Sequence, residues 1–244
     1  LEGDGDSAVP GDCMPSEVPT LTGLVTSANL LRGGKAGGKR PQDSDALQSM
    51  KGQVDANPTN TVFWALYAKA HLNSGSKASE VIKNAKVALN LCDQWAFPQN
   101  LIGNAHFVDN KHDEAEAAYR SALALVSDYV APRFNLALIS LKKGTHDEAL
   151  NQLNKLLEKH PHHKNAHMLR AQAQLGLGRL MEAAADAKGA IDRAPDNAIA
   201  HALYGQILHK QGNTQEATAA LCKAKALGHP AGAKLCPDQA KAGE

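Results

Sequence analysis

Residues 160–167 read HPHHKNAH and place His160, His162, His163 and His167 within eight positions. Imidazoles four residues apart on a helix, as His163 and His167 would be, share a face and suit a metal such as zinc. No aspartate or glutamate lies within the stretch to complete such a site. A joint between two elements, where polar side chains are tolerated, is therefore favoured over a metal centre. The segment HDEA at 112–115 brings together the groups used in acid/base chemistry. It recurs at 146–149, and a catalytic constellation has no reason to recur at a fixed interval. Acids in the first turn of a helix, near the positive end of its dipole, account for both copies.

The four cysteines, Cys13, Cys92, Cys222 and Cys236, include no C-x-x-C pair of the metal or redox kind. Cys222 and Cys236 would form a bridge in an exported chain, and otherwise are two small buried or half-buried residues. Cys13 is assigned to a flexible leader. No glycine-rich phosphate loop and no Ser/His/Asp or Cys/His arrangement stands out. The chain is accordingly read as no enzyme, with no catalytic residue, no metal and no cofactor assigned.

The elements that would position these residues follow from a repeat. Glu114, Glu148, Glu182 and Glu216, each followed by alanine, are spaced 34 residues apart. Gly103, Ala137, Ala171 and Gly205 keep the same beat, as do Gly144, Gly178 and Gly212, and Pro161 and Pro195. Each period reads as two amphipathic helices, one ending at a glycine and one at a proline. Thr145 with Glu148, and Asn213 with Glu216, have the spacing of a capping box. The small residues at fixed phase let two helix backbones approach to about 8 Å.

Together with Trp64, Tyr119, Leu136 and Tyr204 at the larger positions, this pattern resembles the tetratricopeptide repeat family over about residues 42–236. The resemblance implies an all-α fold, a right-handed superhelix (α-solenoid) of about five helix-turn-helix repeats with flanking single helices. Repeats are assigned at 61–95, 96–129, 130–163, 164–197 and 198–231. A single helix is assigned at 42–60, and a capping helix and tail at 232–244.

It further implies a non-catalytic scaffold or adaptor whose concave face, lined by the first helix of each repeat, binds an apolar or amphipathic segment of a protein partner. On this assignment the groove carries Phe97, Asn100, Asn104 and Phe107, then Phe134, Asn135, Leu138 and Lys142. It continues with Met168 and Gln172, then Gln206 and Lys210. Asn104 and Asn135 fall where relatives use asparagine to hold peptide backbone. Asn165 and Leu169 stand where a carboxylate clamp for chaperone tails would have basic side chains, which points away from a free acidic C-terminus.

With 26 basic and 25 acidic residues the net charge is +1, which steers the chain toward neither nucleic acid nor an anionic membrane. At 43% hydrophobic and only 4% aromatic residues, the composition suits closely packed helices built on alanine and leucine. No apolar run of about 18 residues is present to span a bilayer. Residues 1–41 are rich in glycine and proline and read as a flexible leader. Within it VPTLTGLVTSANLLR, 18–32, is apolar enough to dock in the groove or in that of a second copy, which would produce self-association. The alternative reading is an exported periplasmic assembly factor or chaperone for a cell-envelope complex. Its support is a start at Leu1 in place of methionine, which reads as a processed chain and leans the setting toward the periplasm.

Overall fold

A computed structural model describes residues 41–230 together with Cys13 and Cys236. The docking segment at 18–32 and the capping helix at 232–244 lie outside the described residues. Residues 41–230 form eleven α-helices and no strand. In chain order these are α1 (Pro41–Ala56), α2 (Thr61–Asn73), α3 (Ala78–Leu91), α4 (Ala96–Val108), α5 (His112–Leu125) and α6 (Val130–Lys143). Then come α7 (His146–Lys159), α8 (Lys164–Gly176), α9 (Leu180–Arg193), α10 (Ala198–Lys210) and α11 (Thr214–Ala226). The chain divides into two compact units, Leu1–Arg133 and Phe134–Glu244, and the division falls within α6.

The glycine beat has a conformational cause. Gly144, Gly178 and Gly212 adopt φ of 76°, 73° and 86°, the left-handed region that terminates a helix without a Cβ clash. One period before Gly144 the same position is Asn110, at φ 58°, the type of L-residue that enters this region most readily. After each of the four, the next amide bonds back to the carbonyl five residues earlier: Lys111 to His106, Thr145 to Ser140, Arg179 to Gln174 and Asn213 to Leu208, at 2.9–3.0 Å. This is the Schellman closure, and it turns the chain sharply enough for the second helix to fold back on the first.

The small residues of the repeat are contact points. A Cβ on Gly103 would stand 2.4 Å from the ring of Tyr119, and one on Gly205 would stand 2.6 Å from Leu221 Cγ. Ala115, Ala149, Ala183 and Ala217 are all buried. In the first unit Val62, Ala65, Val81, Ala85 and Leu101 from α2, α3 and α4, with Trp95 at the N-cap of α4, belong to one buried cluster. In the second unit Ala171, Ala183, Ala187 and Ile207 join α8, α9 and α10.

One expectation is corrected. The capping boxes do not form. Thr145 caps no first-turn amide of α7 with its side chain, and its hydroxyl donates instead to the Ser140 carbonyl at 3.2 Å. Asn213 likewise makes no side-chain cap to α11, and its amide donates to Gln211 Oε1 at 3.4 Å. The Schellman turn places these residues over the preceding helix end, so its carbonyls and side chains are the nearer partners. Cys13, assigned to the leader, is bonded to Cys92 across 79 positions of sequence and packs against the α2–α4 cluster. Cys222 and Cys236 form the second disulfide.

Candidate functional site

The histidine stretch forms a joint, and its members divide the labour. His163 is the N-cap of α8, its Nδ1 accepting from the Ala166 amide at 3.1 Å, and its ring lies 5.3 Å from that of Phe134. His167 Nε2 is 2.8 Å from the Pro161 carbonyl oxygen, so the ring holds down the turn that precedes its own helix. His201 repeats the bond to Pro195 at 2.9 Å one period later. His167 Nδ1 also lies 3.2 Å from Asp186 Oδ1 on α9. Arg170 donates to the same carboxylate through Nε and Nη2, both at 2.7 Å, and to Asn154 Oδ1 at 3.2 Å. Asp186, 8% exposed, is thus a shared acceptor tying α8 to α9. His160 and His162 are exposed. Among the described residues no group of three or more His, Cys, Asp or Glu side chains is placed to hold a metal.

The histidines of the two HDEA segments are packing residues. A Cβ on Gly176 would meet the ring of His146 at 2.5 Å, so His146 packs where α8 has no side chain. The ring of His112 is 5.6 Å from that of Phe107.

The side chains assigned to the groove fall into two groups. In the first unit Phe97 is buried, with its ring 5.5 Å from Trp95 and Lys69 Nζ 5.6 Å from its centroid. Asn104 is buried and its Oδ1 accepts from the Tyr119 hydroxyl at 2.8 Å. Asn100 is buried, with Nδ2 3.5 Å from the Tyr129 hydroxyl. Phe107 is half-buried.

In the second unit Phe134, Asn135 and Met168 are buried, Met168 in a cluster with Ala190 and Ala200. Leu138 is half-buried, while Lys142, Gln172, Gln206 and Lys210 are exposed. Gln172 and Gln206 are 34 residues apart and stand at one phase on α8 and α10, which touch. Of the clamp positions, Leu169 is buried and Asn165 half-buried. The exposed members are therefore amides and ammonium groups, which offer both donors and acceptors to an extended backbone and cations to carboxylates. Ile199, 51% exposed, adds an apolar contact at the start of α10.

Antiparallel helical hairpins repeated every 34 residues, with polar side chains outward on the first helix of the hairpin, define a helical-repeat protein. Two tetratricopeptide repeat family models match the chain, one over residues 109–173 and one over 168–229. Residues 109–229 are thus similar to tetratricopeptide repeats, a fold of protein-interaction scaffolds.

The chain's fold is shared with YrrB, described as a tetratricopeptide repeat protein with an unusual peptide-binding site, at TM-score 0.65 and 18% identity over 78% of this chain and 98% of that one. MamA from Desulfovibrio magneticus RS-1 is similar at TM-score 0.64 and 18% identity, covering 68% of this chain and 94% of that one. A further MamA structure gives TM-score 0.57 at 24% identity, over 64% and 91% of the two chains. No curated protein sequence matches the chain.

Among the described residues no helix is long and apolar enough to cross a membrane.

Proposed function

We propose that the chain binds an extended, amphipathic segment of a partner protein along the first-helix face of its second unit, within a multi-protein assembly. The observation that carries this reading is the pair Gln172 and Gln206, exposed at one phase on touching helices. Amides at that spacing pair with the N–H and C=O groups of an extended strand without selecting its sequence. Lys142 and Lys210, also exposed, suit carboxylates of the same segment. Ile199 suits its apolar side. The peptide-binding site named for YrrB supports the class of ligand.

A pull-down with the full chain as bait, repeated with a Gln172→Ala, Gln206→Ala double variant, tests the reading. Proteins retained by the native chain and lost by a variant of unchanged thermal stability are expected. Equal retention by both baits overturns it. Asn104→Ala serves as the contrast, because loss of the Tyr119 hydrogen-bond partner lowers stability by about 1–3 kcal/mol through folding and not through the exposed face.

A further inference from the structure

We propose that this chain is a substrate for oxidative cystine formation, matured in an oxidising compartment, and that its two disulfides fasten the non-repeat flanks to the first and last hairpins. All four cysteines are used and none is free. The pairs Cys13–Cys92 and Cys222–Cys236 have Cα separations of 5.7 and 4.9 Å, within the span that a disulfide bridges without moving backbone. Each bond closes inside a single compact unit.

The repeat supplies its own control for what these positions hold when no bond is made. Cys222 on α11 has Lys188, Asn154 and Arg120 as its counterparts one, two and three periods earlier, and all three are exposed polar residues. A cysteine there is not a small core residue. It is half-buried and bonded to Cys236. Cys92, at the C-cap of α3, has Val126, His160 and Ala194 as counterparts, so the joint itself does not call for cysteine. Its partner Cys13 reaches it from outside the repeats and packs on the same cluster as Trp95 and Phe97. Repeat arrays have no neighbour for their terminal units and need a cap there. These bonds supply attachment where the 34-residue pattern stops.

The chemistry is two rounds of thiol–disulfide exchange with a disulfide donor of the oxidised glutathione or dithiol-oxidase class. One cysteine thiolate attacks a donor sulfur and expels a donor thiolate, leaving a mixed disulfide. The second cysteine then attacks the protein sulfur of that bond and expels the other donor thiol. The protein pair loses two electrons and two protons, and the donor leaves as two thiols. Compartments that hold such donors are those in which disulfides persist.

The test uses the full chain, reduced, denatured and refolded in a buffer of oxidised and reduced glutathione, then alkylated and digested for mass spectrometry. The expected product is unalkylated, lighter than the fully reduced chain by about 4 Da for four hydrogens lost. It should yield only the Cys13–Cys92 and Cys222–Cys236 linked peptides. Alkylation at any of the four positions, or any other linkage, overturns the proposal.

In Cys222→Ser the only alkylated residue should be Cys236. Alkylation of Cys13 or Cys92 in that variant would show that the pairs do not form independently within their units. Reduction of the oxidised chain should lower Tm by roughly 10–30 °C, taking typical disulfide contributions over a chain of this size. An unchanged Tm overturns the fastening role.

Discussion

His167 donates from Nε2 to the carbonyl oxygen of Pro161, six residues back, at 2.8 Å, and turns its other ring nitrogen to Asp186 at 3.2 Å. One side chain therefore fixes both the turn before α8 and the packing of α8 on α9. His167→Ala is expected to lower unfolding stability by about 1–2 kcal/mol, the net value of such bonds. His162→Ala, at an exposed joint position, should stay within about 0.5 kcal/mol. Urea denaturation of the two variants separates these outcomes. Added zinc should leave the Tm of the native chain unchanged.

Asp186 receives two charge-assisted bonds from Arg170 in addition to its contact with His167. Asp186→Ala leaves the guanidinium without its carboxylate while its side chain is only 24% exposed. A loss of about 2–4 kcal/mol is expected, larger than for an exposed pair because the remaining charge is partly desolvated. Equilibrium unfolding in urea, which adds no ionic strength, is the appropriate measurement.

Two glycines in helices should respond in opposite directions to alanine. Gly103→Ala drives a Cβ into the Tyr119 ring and should destabilise by about 1–3 kcal/mol. Gly52 in α1 is exposed, with nothing within 4 Å of a built Cβ. Gly52→Ala there should stabilise by about 0.5–1 kcal/mol through helix propensity alone. Thermal melts of the pair check the sign of each.

Burial holds the His71 imidazole below the ordinary histidine value, against the opposing pull of Glu80. Both ring nitrogens are buried with no hydrogen-bond partner among the described residues, and the ring lies 4.5 Å from that of Tyr67. Below a pH of about 6.5 the unfolded chain takes up a proton at this site that the folded chain resists. The contribution of His71 to stability is therefore level above that pH and declines as pH falls through it toward the lower folded value. His71→Phe keeps a ring against Tyr67 and should show a shallower loss of Tm than the native chain between pH 7 and pH 5.

Much of the hairpin architecture was legible because its causes are local and periodic. Gly144, Gly178 and Gly212 mark turns that require positive φ, and Glu-Ala pairs mark the second helix with its buried alanine. The recurrence of HDEA told against catalysis, and the packing of His112 and His146 supplies the physical reason those histidines are there. The phase shared by His167 and His201 was visible too, but not the bonds to Pro161 and Pro195 that explain it.

Less of the candidate site could be read, since phase places a residue on a helix without saying how far its neighbours enclose it. Phe97, Asn104 and Met168 share the first-helix face with Gln172 and Gln206, yet the former are enclosed by packing and the latter exposed.

The sequence alone determined the period, the helix pairs, the turn residues and the class of protein, because each depends on backbone conformation and on contacts between residues close in the chain. Tertiary structure decided which groove residues remain exposed, and that Cys13 meets Cys92. Those outcomes depend on distances between groups far apart in sequence. The separation of 79 positions between the two cysteines carries no local signal of the 5.7 Å that separates their Cα atoms once the α2–α4 cluster has closed.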